Sequence, residues 1–311
     1  MPDCVAKETI RVSVILVALV SGLLMSLIGV AFNLGRPRGL RPPHIATFMG
    51  FAGAVVFAVL AGSALLRSAP AYVWLVGLFA GVTQYLGVVA LGAAFRRGPL
   101  SPAWCAAAMT FPPALVYAWL WLGERLTGLR LAGVLLACGT VVLASLHGSA
   151  ADNTLVVRRH GWGTRIFYGM LLLIVMVMSS SINVALKMLG GHMLPDGRNT
   201  LAAYGLVFLA ACYIAFGVLM LADTLVHPPS VESRPALVLI GLLAAFGSVG
   251  GFALLRTVAQ EPAALVFPVN AVASLLGGSV SSVLFFRERV TPIWFGMVLA
   301  GSVAVVLVGL A

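Results

Sequence analysis

Ten stretches of roughly 20 mostly apolar residues, parted by short polar gaps, constrain this chain more than any other feature, because about 20 such residues let a helix cross the hydrocarbon core of a bilayer. In the first half they run from Val12 to Phe32, His44 to Leu66, Ala71 to Phe95, Ser101 to Leu122 and Leu129 to Leu146. The second half supplies Ile166 to Leu189, Thr200 to Leu221, Ala236 to Val258, Ala263 to Phe286 and Pro292 to Leu310. Lipid offers no water to backbone N–H and C=O groups, so each stretch is expected to be a helix. With 61% hydrophobic and 9% charged residues and a mean hydropathy of +1.08, the expected class is an all-α membrane protein. Val12 to Phe32 is longer than a signal-peptide core and no convincing A-x-A site follows it, so it reads as a retained helix.

The stretches are not independent of one another. Trp119-Leu120-Trp121-Leu122-Gly123-Glu124-Arg125-Leu126-Thr127 is echoed by Leu284-Phe285-Phe286-Arg287-Glu288-Arg289-Val290-Thr291, a shift of roughly 164 positions. The same shift lays Leu75, Gly77, Leu78 and Ala80 over Leu239, Gly241, Leu242 and Ala244, and a slightly smaller one lays Val30 to Asn33 over Val184 to Lys187. Residues 1–147 and 165–311 therefore read as two copies of a five-helix unit, joined by a linker over 148–164 with Asp152-Asn153 and Arg158-Arg159. Five is odd, so the copies enter the membrane from opposite sides. The expected architecture is ten transmembrane helices in two inverted repeats, an arrangement that recurs in secondary transporters.

Charge and cysteine content narrow the function classes. The formal net charge is +10, but no basic run exceeds two residues and the arginines lie in the gaps, as membrane-flanking anchors do; no nucleic-acid partner is expected. Cys4, Cys105, Cys138 and Cys212 form no CxxC, and His44, His147, His160, His192 and His227 are scattered, so no metal, cofactor or disulfide framework is expected. No His-Glu-x-x-His or Gly-x-Ser-x-Gly occurs, which argues against an enzyme. With a cytoplasmic amino terminus, eight of the 19 Lys and Arg would lie in the cytoplasm and eleven opposite, which mildly favours the reverse orientation.

Gly98-Pro99-Leu100-Ser101-Pro102, the mid-span Pro112-Pro113, the closing Gly-Glu-Arg-Leu-Thr and a following Gly-rich helix together resemble the EamA repeat of the drug/metabolite transporter superfamily. The second half is similar at Glu261-Pro262-Ala263, Pro268, Arg287 to Thr291, and Gly296 with Gly301. The resemblance implies alternating access, a central cavity lined mainly by the first, third and fourth helices of each half, and both termini in the cytoplasm. It names no cargo. The chain is thus expected to be a transporter of a small polar or amphipathic metabolite, a monomer or homodimer in a bacterial inner membrane. The alternative is a non-transporting assembly partner or a flippase component for lipid-linked sugars.

Polar groups inside apolar stretches are costly unless partnered, so they are the candidates for a cavity. Gln84 and its repeat equivalent Ser248 share faces with small residues, Gly77 and Gly81 or Gly241 and Ala245, and could equally serve helix packing. Asn270, Ser274 and Ser281 form a stripe; Thr110, Tyr117 and Trp104 surround Pro112-Pro113, where missing donors free backbone carbonyls. Asn33, Asn183 and Lys187 lie near the ends of the first and sixth stretches, with Lys187 either snorkelling to the interface or attracting an anion. Glu124-Arg125 and Glu288-Arg289 stand at helix ends, where a capping, locally paired role is expected. All nine Asp and Glu lie in or beside gaps, so coupling through a buried carboxylate is not expected.

Overall fold

A computed structural model describes residues 2–96, 100–124, 127–129, 131–136, 139, 162–195, 199–259, 261, 263–286 and 292–310. Among them every regular element is helical, apart from one isolated bridge between Met193 and Asn199. The helices are α1 (Pro2–Gly35), α2 (Pro42–Ser68), α3 (Ala71–Phe95), α4 (Leu100–Ala108), α5 (Phe111–Leu122), α6 (Trp162–Ser179), α7 (Ser181–Gly191), α8 (Thr200–Val226), α9 (Arg234–Val258), α10 (Ala263–Phe286) and α11 (Pro292–Leu310). Seven spans among the described residues are long and apolar enough to cross a bilayer, with Val266–Gly278 as a shorter one. This is the make-up of an integral membrane protein. Most of the fifth stretch, residues 148–161 of the expected linker over 148–164, Arg125, and Glu288 with Arg289 lie outside the described residues, while 162–164 begin α6.

Three expected single helices are interrupted: α2 kinks at Gly62, where φ is 71°, and the fourth and sixth stretches are each made of two pieces. The fourth breaks at Met109-Thr110, because Pro112 and Pro113 remove the donors that would serve the carbonyls of Ala108 and Met109. Thr110 turns its own N–H onto the Ala108 carbonyl at 2.9 Å instead. The sixth breaks at Ser180, which the sequence reading had as continuous from Ile166 to Leu189. Within Ser179-Ser180-Ser181, the Ser180 hydroxyl donates to the Val177 carbonyl at 2.6 Å, competing with the helical ladder and bending it. Pro268, by contrast, sits inside an unbroken α10.

The described helices before residue 124 pack less on one another than on helices of the second half. α2 packs chiefly on α8, α3 on α8 and α6, and α1 on α9 and α10, so the two sequence halves are interleaved. Glycine permits this closeness. A Cβ on Gly217 of α8 would lie 3.0 Å from the Gly50 carbonyl carbon of α2, and one on Gly77 of α3 only 2.6 Å from the Phe208 carbonyl oxygen of α8. Small residues at such crossings let backbones touch where lipid gives no hydrophobic drive to associate. Phe57, Phe111, Phe208 and Phe267 fill the interior, while Val59, Leu75, Phe79 and Leu239 point outward onto what a bilayer would cover.

The helix ends gather at two faces. One holds Tyr72, Glu124, Lys187, His192, Thr200 and Glu261, and is called the Glu124 face; the other holds Arg36, Arg41, His44, Arg96, Asp223 and His227, and is called the Arg36 face. Gly217→Val is expected to destabilise the fold by about 1–3 kcal/mol through forced separation of α2 and α8. Gly296→Ala, where nothing lies within 4 Å, should leave the thermal midpoint nearly unchanged in the same assay. Equal midpoints for the two variants would sink this account of the crossing.

Candidate functional site

A cavity of about 880 Å³, counting its open mouth, lies where α1, α3, α4, the Ser180 bend, α8, α9 and α10 converge. Its wall is mostly apolar: Met25, Ile28 and Phe32 from α1, Val88 and Leu91 from α3, and Phe216 and Phe252 from α8 and α9. Polar groups interrupt it at Gln84, Trp104, Thr110, Ser179, Asn183, Tyr213, Ser248, Asn270 and Ser274. Among the described lining residues there is no Asp, Glu, Lys, Arg or His. The wall thus offers apolar contact and neutral hydrogen bonding. No three His, Cys, Asp or Glu side chains converge among the described residues.

These polar groups are held by one another across the two halves. Asn183 Nδ2 donates to Thr110 Oγ1 at 2.8 Å, joining the bend at Ser180 to the break at Thr110. Both local irregularities thus face the same space, as broken backbone inside a membrane does when it lines a cavity. Asn270 Nδ2 donates to Ser21 Oγ at 2.8 Å, and Ser21 Oγ donates in turn to the Gly251 carbonyl at 2.8 Å, so one relay joins α10, α1 and α9. Tyr213 and Ser248 share a hydroxyl–hydroxyl bond between α8 and α9. The Trp104 indole lies between Gly29 of α1 and Gly278 of α10, and its Nε1, buried, has no hydrogen-bond partner.

The structure brings seven of the expected cavity residues together: Gln84, Trp104, Thr110, Asn183, Ser248, Asn270 and Ser274. Tyr117 is elsewhere; its ring stacks on Trp121, centroids 5.3 Å apart, and Trp121 is exposed at the outer surface. Ser281 turns back on the Gly278 carbonyl, and Asn33 lies beside the cavity-lining Phe32 without lining the cavity itself. Lys187 is neither a snorkelling residue nor a cavity cation. Its side chain is buried, with Nζ 2.7 Å from Glu124 Oε1 and donating to the Glu261 carbonyl at 3.0 Å. A buried cation needs such partners, because removal from water costs several kcal/mol per ion.

Glu124 therefore does more than pair along its own loop. Gly123 ends α5 in the left-handed region at φ 67°, and the Glu124 N–H returns to the Ala118 carbonyl, so the carboxylate is carried across to α7 of the other half. Around this pair Leu122 packs on Gly191, Tyr72 bonds Thr200 at 3.2 Å, and the Tyr72 and His192 rings meet edge-on at 5.4 Å. These contacts tie helix ends of the two halves together at the Glu124 face. Towards the Arg36 face, Phe32 and Val88 line both the cavity and a second, wider hollow of about 1230 Å³ that is open to solvent. Ser21, Ser179 and Tyr213 escaped the sequence reading. All three are polar residues within apolar stretches, the signal that singled out Gln84, and Ser179 opens a run of three serines.

The sequence matches no protein-family model and no curated protein. In three dimensions the chain is similar to a solved crystal structure described only as that of a protein, with a TM-score of 0.67 at 18% identity, over 96% of this chain and 97% of that one. At that identity the likeness concerns the fold. It extends over nearly the full length of both chains, so the interleaved arrangement is a fold that another sequence also adopts.

Removing the Ser21 hydroxyl leaves the Asn270 amide and the Gly251 carbonyl without their shared partner. Ser21→Ala is expected to cost about 1 kcal/mol of stability, and a double-mutant cycle with Asn270→Ala should return a coupling energy of similar size. Additive effects in mixed-micelle unfolding would refute the relay.

Proposed function

We propose that this protein is a secondary transporter, rather than an enzyme, which moves a small polar or amphipathic metabolite by alternating access. The observation that carries the reading is the asymmetry of the cavity. Phe32 and Val88 line both the cavity and the hollow at the Arg36 face, while the Lys187–Glu124 ion pair joins the two sequence halves at the opposite face; we read the first as the open end and the second as the closed one. A carrier must close one end while the other is open, and its closing contacts must break on each cycle. The Lys187–Glu124 pair has that position.

The helix pairing supports two inverted five-helix repeats. α1 packs on α9 and α10 as α6 packs on α3 and α4, with α7 on α5; α3 packs on α8 as α9 packs on α2; and α2 packs on α8. Exchanging α1, α2, α3 and the α4–α5 pair for the α6–α7 pair, α8, α9 and α10 reproduces the same set of neighbours. Such exchange symmetry about a central site is the frame on which rocking carriers work. Membership of the EamA group and a bacterial inner membrane with both termini cytoplasmic remain part of this proposal.

Two experiments test it. A panel of amino acids, sugars, nucleotide sugars and phosphorylated metabolites is screened for a rise in thermal midpoint, which a ligand bound to the folded state produces. Hits are then followed as counterflow in proteoliposomes; hits without flux would favour a binding or assembly partner. Separately, a single cysteine at Ser179 in a cysteine-free background is probed with an impermeant maleimide from each side of the membrane. Labelling is expected mainly from the Arg36 face. Glu124→Gln should raise labelling from the opposite face several-fold, since loss of about 1–3 kcal/mol from one state shifts a two-state population that far. Labelling from one face only, unchanged in Glu124→Gln, would rule out this gate.

A further inference from the structure

The vestibule and the cavity differ in charge, and that difference bears on the cargo. Arg36, Arg41 and Arg96 line the vestibule with Asp223 and His227, so three guanidinium groups stand against one carboxylate. Asp223 faces the His227 ring at 3.5 Å, four residues on in its own helix end. None of the three arginines has an ion-pair partner among the described residues. Among the described residues the cavity wall beyond Phe32 and Val88 carries no charged side chain, so an ionised group drawn fully inside would lose water without gaining a countercharge from them.

We infer that the site takes an amphipathic organic anion, with its apolar or aromatic body inside the cavity and its carboxylate, sulfate or phosphate held at the vestibule arginines. This rests on the transporter reading and names its substrate class. Phe32, Val88, Leu91, Phe252 and the Trp104 indole supply the apolar contacts for the body. Low-dielectric walls around the mouth concentrate the arginine field there and raise the local concentration of anions. A cation meets repulsion at the same place. A free anion in water and the headgroup of an anionic lipid share this chemistry; the site for the body lies between helices of both halves and not on the outward-facing apolar surface, which favours the free one.

The test uses the full-length protein in phosphatidylcholine nanodiscs and three probes of one shape: 2-naphthoate, 2-naphthalenemethanol and 2-naphthylmethylammonium, each titrated by calorimetry. The anion is expected to bind at least about tenfold more tightly than the neutral alcohol, and the cation more weakly than either. At 0.5 M NaCl the anion's advantage should shrink, since the arginines are exposed to solvent. The combined Arg36→Gln, Arg41→Gln and Arg96→Gln variant should lose that advantage while its affinity for the alcohol stays the same. Arg→Lys at the three positions should retain most of it. Because these side chains are exposed, the variants are expected to elute and melt as the parent does; if the combined one does not, the three single variants are read in its place.

Equal affinity for the three probes, abolished by Asn270→Leu, would overturn the anion inference and leave the cavity and the transporter reading standing. Failure of all three probes to bind overturns it too, with the metabolite screen and cysteine labelling still deciding the transporter reading. Displacement of 2-naphthoate by phosphatidylglycerol at 20% of the nanodisc lipid would assign the arginines to a headgroup and likewise overturn it.

Discussion

The fold depends on close contact between backbones at glycine crossings. Inside a bilayer, apolar side chains gain nothing by leaving lipid for protein, so helices associate through tight packing and internal hydrogen bonds. Gly50 against Gly217, Gly77 and Gly81 against α8, and Gly247 against the Leu24 carbonyl give α1, α2 and α3 their places on α8 and α9. These crossings bind one half of the chain to the other. The interior space left between them is the cavity.

Once the halves are interleaved, the polar residues acquire partners that sequence neighbours cannot give. Asn183 meets Thr110 because two helices break at the same level, one through a serine run and one through a proline pair. Asn270 reaches Ser21 because α10 lies on α1 at Gly22. Each pair satisfies its own groups and leaves a neutral, partly polar wall. A wall of that kind suits ligands that are released again, since no strong ionic bond must be broken in the cavity itself.

The two faces divide the work differently. The Glu124 face is held by an ion pair in which Lys187 is buried and Glu124 half-buried, with a backbone carbonyl as third partner, a contact that is costly to leave half-made. The Arg36 face is tied at its edge by His44 bonding the His227 carbonyl at 2.6 Å and Thr47 meeting Thr224 at 3.0 Å, while its centre stays open. The helix bends at Thr110 and Ser180 lie beside the cavity, between the two faces.

Apolar run length determined helix class and the approximate bounds of most described spans, because lipid forces every long apolar run into a helix regardless of its neighbours. Single polar residues within those runs marked Gln84, Ser248, Asn270 and Thr110, since burying such a group demands a use for it. Only the tertiary structure decided that Tyr117 faces outward onto Trp121, that the Ser179-Ser180-Ser181 run bends its helix, and that Lys187 serves Glu124 rather than the cavity. Those outcomes turn on which helix face meets which neighbour. With spans this uniformly apolar, periodicity carries too little contrast to say which face that is, and the glycine crossings settle it in space.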